Sequence, residues 1–321
     1  MNDEERSERL DAALERALAD PGAPLPSDGS ALADLLQIAR DLTDLPNPAF
    51  RTKLAADLAR RATMTTTATD VTTSRGIRSV TPYLAVRPAD ELIDFVKRAF
   101  GARELLRTVG SGGGVHAEVQ IGDTNVMIGG GAAWGGTPTP TGLHFYVPDA
   151  DQVYRAAVEA GAHSLYSPVD QPYGDREAGV RDVAGNQWYI ATHQAERHVP
   201  EGLGSVTPYL HPRGAPALVE FLKRAFAAEE MAIHHGPDGA IAHAKIRVGG
   251  SVIEMGEAHG EWGAMPTMFY VYVDDVDAWY RRALDAGATS IEPPALQPYG
   301  ERRAAVRDAF ENQWYLAAPA A

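Results

Sequence analysis

The chain repeats itself at a spacing of 126 residues, and this repeat restricts the possible folds more than any other feature. The segment QPYGDREAGVRDVAGNQWY at 171–189 returns as QPYGERRAAVRDAFENQWY at 297–315. A period this long indicates duplication of a whole domain, because the units of a solenoid span only about 20–50 residues. Three shorter blocks recur at the same spacing: SVTPYL at 79–84 and 205–210, KRAF at 97–100 and 223–226, and AGA at 160–162 and 286–288. We therefore expect two copies of one domain.

Composition and charge exclude several classes of function. The 321 residues are 45% hydrophobic, enough for two or three packed cores, and they carry a formal net charge of −14. Such an acidic surface repels phosphate backbones and anionic lipids, so we expect no nucleic-acid partner and no membrane partner. The chain has no cysteine, which excludes disulfides and thiolate metal sites. It shows neither a secretory signal nor an apolar run long enough to cross a bilayer, so the sequence predicts a soluble, cytoplasmic protein.

The repeat and the composition divide the chain into four regions. Region 1–62 is predicted to be helical, because apolar residues recur at helical spacing. Region 63–75 is rich in threonine and lacks an apolar period, which indicates a linker. The two copies are assigned to 76–195 and 203–318. Three short helices are marginal on their own, so the N-terminal segment is expected to dock on the rest of the chain or on a protein partner.

Each copy is predicted to contain a βαβββ module twice, which gives four modules in the chain. In the first copy, the strand SVTPYLAV is followed by a helix from Pro88 to Phe100, which Gly101 is suited to end. Three strands with glycine-rich turns follow, and the pattern restarts at LHFYV with a helix that Asp149 can cap. The predicted fold class is therefore α+β. It consists of two tandem domains behind a helical N-terminal segment, each built from paired βαβββ modules that form an open cupped sheet.

These motifs carry a resemblance to a known family. Paired βαβββ modules with a strand-opening TPYL, the HAEVQIGD strand at 116–123 and a closing D-x-x-x-NQWY resemble the vicinal oxygen chelate superfamily. That superfamily includes glyoxalase I, extradiol dioxygenases and the fosfomycin- and bleomycin-resistance proteins, and the resemblance is strongest to its PhnB-like branch. It implies a concave sheet that holds a small-molecule ligand and, in the enzymes, a divalent metal as cofactor.

The residues at the usual metal positions of that family are mostly poor ligands here. The resemblance places four ligands on the first and last strands of the two modules of one domain. The residues at those positions are Thr81, Met127, Gly142 and Tyr189 in the first copy, and Thr207, Glu254, Met268 and Tyr315 in the second. Divalent ions prefer carboxylate and imidazole, so the sequence predicts that the inherited metal site is lost in the first copy and nearly lost in the second, with Glu254, His243 and His144 as weak remaining candidates.

Alternating strands point to polar groups on the concave faces. Val115, Ala117, Val119 and Ile121 would face the helices, so that His116, Glu118 and Gln120 face the concave side. In the second copy the same positions hold His243, Lys245 and Arg247. These sets suggest a cation or amine binder in one cavity and an anion binder in the other, or simply wetted sheet faces. His116, paired with His144 or Glu118, could serve as a general acid or base.

Aromatic residues are predicted to line the cavities as well. Trp188 and Trp314 are assigned to the core, because neighbouring residues of a strand face opposite sides. Trp134 and Trp262 lie in glycine-rich loops and are candidate lids. Tyr173 and Arg176, with Tyr299 and Arg302, either clasp a ligand or form a structural turn. The predicted ligand-binding residues are Tyr83, His116, Glu118, His144, Tyr189, Tyr209, His243, Glu254, Tyr270 and Tyr315.

Two functions remain open from the sequence. The first is a protein that binds or sequesters a small organic ligand without the usual metal. The alternative is a metal-dependent lyase, isomerase or dioxygenase, in which Glu254, His243 and His144 form an atypical site. The two hypotheses differ in whether the purified protein holds a stoichiometric divalent ion.

Overall fold

The computed structural model describes residues 80–110, 112–260 and 262–319. The predicted N-terminal helices and the threonine-rich linker lie outside the described residues. The first copy contains β1 (Val80–Val86), α1 (Ala89–Phe100), β2 (Arg103–Val109), β3 (Val115–Ile121), β4 (Thr124–Gly130), β5 (Gly142–Tyr146), α2 (Ala150–Glu159), β6 (His163–Asp170), β7 (Asp175–Arg181) and β8 (Gln187–His193). The second contains β9 (Val206–Leu210), α3 (Ala215–Phe226), β10 (Glu229–His235), β11 (Ile241–Val248), β12 (Ser251–Met255), β13 (Met268–Tyr272), α4 (Val276–Asp285), β14 (Thr289–Leu296), β15 (Glu301–Arg307) and β16 (Gln313–Pro319).

These elements form four βαβββ modules, as the sequence predicts. Module 1 is β1–β4 with α1, module 2 is β5–β8 with α2, module 3 is β9–β12 with α3, and module 4 is β13–β16 with α4. The strands assemble into two eight-stranded sheets. Sheet A has the order β14-β15-β16-β13-β1-β4-β3-β2, and sheet B has the order β10-β11-β12-β9-β5-β8-β7-β6.

Each sheet combines modules from different copies, which corrects the expectation that one copy forms its own cupped sheet. In sheet A the first strands of modules 1 and 4 pair antiparallel, with Tyr83 opposite Met268. In sheet B the first strands of modules 2 and 3 pair in the same way, with His144 opposite Thr207. Every concave face is therefore shared by the two copies.

The physical reason is that the two modules of one copy meet through a common hydrophobic core. In the first copy, α1 and α2 contribute Phe95 and Ala157, together with Leu84 from sheet A and Trp188 from sheet B. The second copy has an equivalent core around α3 and α4. Because the helices join the modules of one copy, the first strand of each module pairs with a module of the other copy.

The repeated D-x-x-x-NQWY motif is a structural turn. Asp182 accepts hydrogen bonds from the Asn186 side chain and from Trp188 Nε1, both at 2.8 Å. Asn186 in turn accepts from the Thr141 backbone N–H at 3.1 Å, which ties the turn to the start of β5. Trp188 is fully buried, as predicted, and its counterpart Trp314 is equally buried. The most strongly repeated part of the sequence thus holds each module together.

The two predicted helix caps, Asp149 and Gly101, are both confirmed. Asp149 caps α2 by accepting a hydrogen bond from the Gln152 N–H at 2.8 Å. Gly101 ends α1 in the left-handed conformation (φ 65°), and Ala227 ends α3 in the same conformation (φ 51°). Among the described residues, no helix combines the length and the apolar character needed to cross a membrane.

Candidate functional site

The structure distributes the ten predicted ligand-binding residues evenly over the two sheets. Modules 2 and 3 contribute His144, Tyr189, Tyr209, His243 and Glu254 to sheet B. Modules 1 and 4 contribute Tyr83, His116, Glu118, Tyr270 and Tyr315 to sheet A. Each concave face therefore combines residues that the sequence had placed in separate domains.

A chain of ionisable side chains crosses the concave face of sheet B. His144 on β5 places Nδ1 3.0 Å from Glu254 Oε2 and Nε2 3.3 Å from Glu177 Oε2. Glu254 Oε1 lies 3.3 Å from His243 Nε2 and 3.8 Å from Lys245 Nζ. Glu254 is fully buried, and His144 and Glu177 are nearly so. The first and second copies thus meet in a buried carboxylate–imidazole–carboxylate arrangement.

The mutual contacts keep all three central groups charged at neutral pH. Burial alone would lower the pKa of His144, but the charges of Glu254 and Glu177 raise it to about 10. Burial alone would raise the pKa of each carboxylate, but His144 holds the pKa of both below the usual value. An imidazolium between two carboxylates is the form that these pKa shifts favour.

Tyrosines complete the acidic side of the site. Tyr166 donates a hydrogen bond to Glu177 Oε1 at 2.5 Å, and Tyr173 donates to Glu177 Oε2 at 3.3 Å. Tyr166 lies against Gly179, where an added Cβ would approach its ring to 2.3 Å. Burial raises the pKa of both tyrosines, so their hydroxyls stay protonated and donate.

A cavity of about 430 Å³ on sheet B is lined by His144, Tyr166, Tyr173, Glu177, His243 and Lys245. Tyr146, Tyr189 and Tyr209 form further parts of its wall. The cavity is of the size that holds a small organic molecule, with aromatic walls and a few polar groups.

The same cavity collects most of the histidines of the chain. Of the ten in the sequence, six line it: His144, His193, His211, His234, His243 and His259. Burial, aided by the nearby His259, lowers the pKa of His211 to about 4, so this imidazole is neutral at neutral pH. At the 126-residue spacing, the counterparts of His144, His193 and His211 are Tyr270, Pro319 and Ala85. The fold does not require histidine at these positions, so the enrichment belongs to the site.

Sheet A carries a different set of side chains at equivalent positions. By strand register, Met127 on sheet A is equivalent to Glu254 on sheet B. Met127 lies opposite Glu118 and Tyr83. In the same way, Glu254 lies opposite Lys245 and Tyr209. Tyr270 occupies the position on sheet A that His144 occupies on sheet B, and Arg303 occupies the position equivalent to Glu177.

Arg303 is buried on sheet A and contacts several neighbouring side chains. Its guanidinium donates to Glu292 at 2.7 Å and to the Tyr299 hydroxyl at 2.8 Å. It also lies 5.3 Å from the centre of the Tyr315 ring. Nearby, the Tyr83 hydroxyl lies 3.2 Å from His116 Nδ1. The side chains of sheet A thus contact one another where those of sheet B border a cavity.

The two candidate lid tryptophans also differ. Trp262 lines the cavity, stacks on His211 with the ring centres 6.1 Å apart, and contacts Tyr189 at 5.7 Å. Trp134 instead packs on the loop glycines Gly112 and Gly136. Only Trp262 of this pair therefore covers the cavity on sheet B.

The residues predicted at the cavity mouth were expected either to contact a ligand or to form a structural turn, and they differ in which of these they do. Tyr173 lines the cavity. Arg176 forms an ion pair with Asp151 in the first turn of α2, and Arg302 pairs with Asp277 in α4. The two arginines are thus structural, whereas Tyr173 belongs to the site.

The predicted metal positions are corrected in two respects. The central strands of sheet B carry Gly142 and Tyr189 from the first copy and Thr207 and Glu254 from the second, so one set of positions spans both copies. His144, two residues beyond Gly142 on the same face, is the residue that contacts Glu254. Within the part of the chain that the structure describes, no group of three or more His, Asp or Glu side chains is arranged to hold a metal ion.

Sequence reasoning missed Glu177, although a signal for it was present. In DREAGVR, the buried core residues Ala178 and Val180 alternate with Asp175, Glu177 and Gly179. That alternation places Asp175 and Glu177 on the concave face. Asp175 pairs there with His193 Nδ1 at 2.5 Å.

Comparison with known proteins gives matches over most of the chain. A family model described as the Glyoxalase/Bleomycin resistance protein/Dioxygenase superfamily matches residues 76–190 and 213–316. An uncharacterised protein of Mycobacterium bovis is 31% identical over 126 residues, which cover 36% of this chain and 83% of that protein.

Two solved structures are similar in fold. Glyoxalase I from Zea mays is 14% identical with a TM-score of 0.58, and the match covers 74% of this chain and 92% of that chain. A putative dioxygenase from Bacillus subtilis is 15% identical with a TM-score of 0.50, covering 74% of this chain and 83% of that chain. At these identities the likeness concerns the fold alone.

Proposed function

Because the chain belongs to the glyoxalase/bleomycin resistance protein/dioxygenase superfamily, we propose that it binds or sequesters one small organic ligand in the sheet B cavity, without a divalent metal. The observation that carries this proposal is the chain of contacts across that cavity. His243 and Lys245 contact Glu254, Glu254 contacts one nitrogen of His144, and Glu177 contacts the other.

Such a linear arrangement does not suit a metal ion. A bound ion needs several donor atoms directed at one point, with imidazole neutral and carboxylates free to coordinate. Here the two nitrogens of His144 are directed at different carboxylates. The ammonium group of Lys245 lies 3.8 Å from Glu254 and would repel a cation. The residues present therefore do not fit the divalent metal ion that the family implies.

The charge states favour binding over acid–base catalysis. A general acid or base works best with a pKa near the working pH. The pKa of His144 is raised to about 10, while the pKa values of Glu177 and Glu254 are lowered. At neutral pH these groups are fixed charges beneath an aromatic cavity.

Occupancy of one ligand per chain follows from the difference between the sheets. Sheet A replaces Glu177 with Arg303, whose guanidinium is held by Glu292 and Tyr299. Because Arg303 is larger than Glu177 and already has two partners, we expect no ligand to bind in its place. The PhnB-like branch suggested by the sequence motifs remains part of this proposal.

The first test is elemental analysis of tag-free protein, before and after exposure to Zn²⁺, Mn²⁺, Fe²⁺ or Ni²⁺ and removal of free ion. We expect well below one ion per chain. About one ion per chain, lost in Glu254→Gln or His144→Gln but kept in His116→Gln, would overturn the metal-free proposal. That result would favour the alternative of a metal-dependent lyase, isomerase or dioxygenase, which is suggested by the 3.0 Å contact of His144 with Glu254 across two central strands.

A second test measures ligand binding itself. Trp262 borders the cavity, so its fluorescence should respond to an aromatic ligand, whereas Trp188 and Trp314 are buried in the cores. We expect a library of small organic compounds to give hits with a stoichiometry of one and a signal that Trp262→Phe removes. Signals that persist in Trp262→Phe and disappear in Trp134→Phe would contradict the assignment to sheet B.

A further inference from the structure

We propose that the ligand of the sheet B cavity is a small organic anion, whose oxyanion group is bound beside Lys245 and Tyr209. The proposal rests on the proposed function and names the chemical class of the ligand. It is based on which hydrogen-bonding groups of the cavity are already used by the protein.

The acidic groups of the cavity already have donors. Glu177 accepts hydrogen bonds from the hydroxyls of Tyr166 and Tyr173, and its carboxylate contacts His144. Glu254 contacts His144 and His243, and Asp175 contacts His193. A ligand rich in donors would have to displace these contacts, and each buried group left unpaired would weaken its binding.

Several donors of the cavity have no acceptor among the residues that the structure describes. Within the described part of the chain, Lys245 Nζ makes no hydrogen bond, and its nearest acidic oxygen is Glu254 Oε1 at 3.8 Å. The hydroxyls of Tyr146 and Tyr209 line the same cavity and also make no hydrogen bond to a described residue. Lysine has three donors and no acceptor, so Lys245 can be satisfied only by water or by an acceptor on a ligand.

The Lys245 charge is also more accessible than the charges of Glu254 and Glu177. The Lys245 side chain is 24% exposed, whereas that of Glu254 is 0% and that of Glu177 is 9% exposed. The Lys245 ammonium group is therefore more accessible than these two carboxylates. A third carboxylate that lines the cavity, Glu257, already accepts hydrogen bonds from the backbone N–H groups of Gly214 and Ala215. In a chain with a net charge of −14, such a local positive group selects for anions.

The fold does not require a lysine at this position. On sheet A the same register position is Glu118, opposite Met127 as Lys245 is opposite Glu254. The aromatic walls, including Tyr209 and Trp262, can pack on a flat ring attached to the oxyanion. The geometry thus points to an aromatic carboxylate or phosphate ester.

The test uses matched probes that differ only in charge. Benzene, naphthalene and indole rings each carry a carboxylate, a carboxamide or an aminomethyl group, and phenyl and naphthyl phosphate are added. Dissociation constants are measured on the full chain by ligand-observed NMR and calorimetry. We expect the anions to bind more tightly than the matched amides and amines, with the carboxylate and phosphate arms showing which oxyanion is preferred.

Substitutions on one strand locate the effect. Lys245→Met should weaken anion binding by about 10-fold or more, because a hydrogen bond to a charged group is lost. Lys245→Arg should keep most of the affinity, and Tyr209→Phe should cause a smaller loss. The control is Arg247→Met, which removes a positive charge two residues along β11 from an exposed side chain near Glu229. A thermal melt confirms that each variant is folded.

Each outcome separates this inference from the proposed function. Preferred binding of the amines, or equal losses in Lys245→Met and Arg247→Met, would overturn the anion proposal while leaving a ligand site on sheet B. Binding of no probe at millimolar concentration, with Trp262 fluorescence unchanged, would overturn both.

Discussion

At the scale of single residues, His144 raises the question of why a protein buries three ionised groups together. Removing such groups from water costs several kcal/mol each, and their mutual attraction does little more than offset that loss. Sheet A has the same strand register without this arrangement, with Tyr270, Arg303 and Met127 at the corresponding positions. The charged groups of sheet B are therefore not demanded by the fold, which supports a role in binding.

Substitution of Glu254 tests how much the attraction between the buried charges offsets their loss of hydration. Glu254→Met introduces the residue that sheet A carries and leaves His144 with one carboxylate, Glu177. Breaking a buried ion pair in this way should lower the free energy of unfolding by about 3 kcal/mol, as measured by urea denaturation. The control Met127→Leu, at the equivalent place on sheet A, should cost less than about 1.5 kcal/mol.

A double variant shows whether the loss comes from the unpaired charge. Glu254→Met combined with His144→Tyr removes the imidazolium as well, and it should regain most of the lost stability. If the double variant is as unstable as the sum of the single variants, the contact of His144 with Glu254 does not explain the effect.

The pH dependence of stability follows from the direction of the pKa shifts. The pKa of His144 rises from 6.5 to about 10 on folding, so its contribution is full below pH 6.5 and declines as the pH rises towards 10. The pKa of Glu254 falls below 4.5, so its contribution is full above pH 4.5 and is lost as the pH falls.

We therefore expect the stability difference between the wild type and His144→Gln to be largest between about pH 4.5 and 6.5. Urea unfolding at pH 5.5, 7.5 and 9.5 should give a difference that shrinks at each step. A difference that stays constant or grows with pH would contradict a charged His144 in the folded protein.

At the scale of secondary-structure elements, the two copies provide paired experiments on helix ends. Gly101 ends α1 with φ 65°, and an added Cβ would meet no atom within 4 Å. Gly101→Ala should therefore cost about 1 kcal/mol of stability, through backbone conformation alone. At the matching position of α3, Ala227 has φ 51°, so Ala227→Gly should stabilise the protein by a similar amount. Thermal melts that shift in the same direction for both substitutions would contradict this explanation.

Local elements were predictable from the sequence because their signals are local. The alternation in VHAEVQI predicted that His116 and Glu118 lie on the concave face. Asp149 predicted the start of α2, because its side chain can cap a helix. Glu177 was predictable in principle from the alternation of DREAGVR. The position of His144 along β5 depended on the strand register, because Gly142 and His144 lie on the same face two residues apart.

The pairing of modules could not be read from the sequence, for a physical reason. The repeat makes β1 similar to β9 and β5 similar to β13, so each first strand could pair with a module of either copy. In the structure β5 pairs with β9, which is the sequence counterpart of β1. The choice is made by the cores, in which α1 and α2 hold modules 1 and 2 together while their strands enter different sheets.

At the scale of the whole molecule, this arrangement links the four modules in a ring. Hydrophobic cores join modules 1 and 2 and modules 3 and 4, while the sheets join modules 1 and 4 and modules 2 and 3. The hydroxyls of Thr141 and Thr267, equivalent residues of the two copies, form a hydrogen bond with each other. Neither copy contains a complete concave face.

A fragment containing residues 76–202 should therefore not behave as an independent monomer. It keeps the core of the first copy but exposes β1 and β5, which pair with β13 and β9 in the full chain. Unpaired strand edges favour association, and β5 is the sequence counterpart of β13. We expect the fragment to form a homodimer in which β1 of each molecule pairs with β5 of the other.

Sedimentation and ligand binding together test this expectation. In the dimer, His144 would face Met127 in place of Glu254, so the fragment should not bind the ligand of the full chain. Mixing it with the fragment 203–319 should restore both the contact of His144 with Glu254 and the binding. A stable monomer of 76–202 that binds the ligand would show that the first copy completes its own site, contrary to the strand order of sheet B.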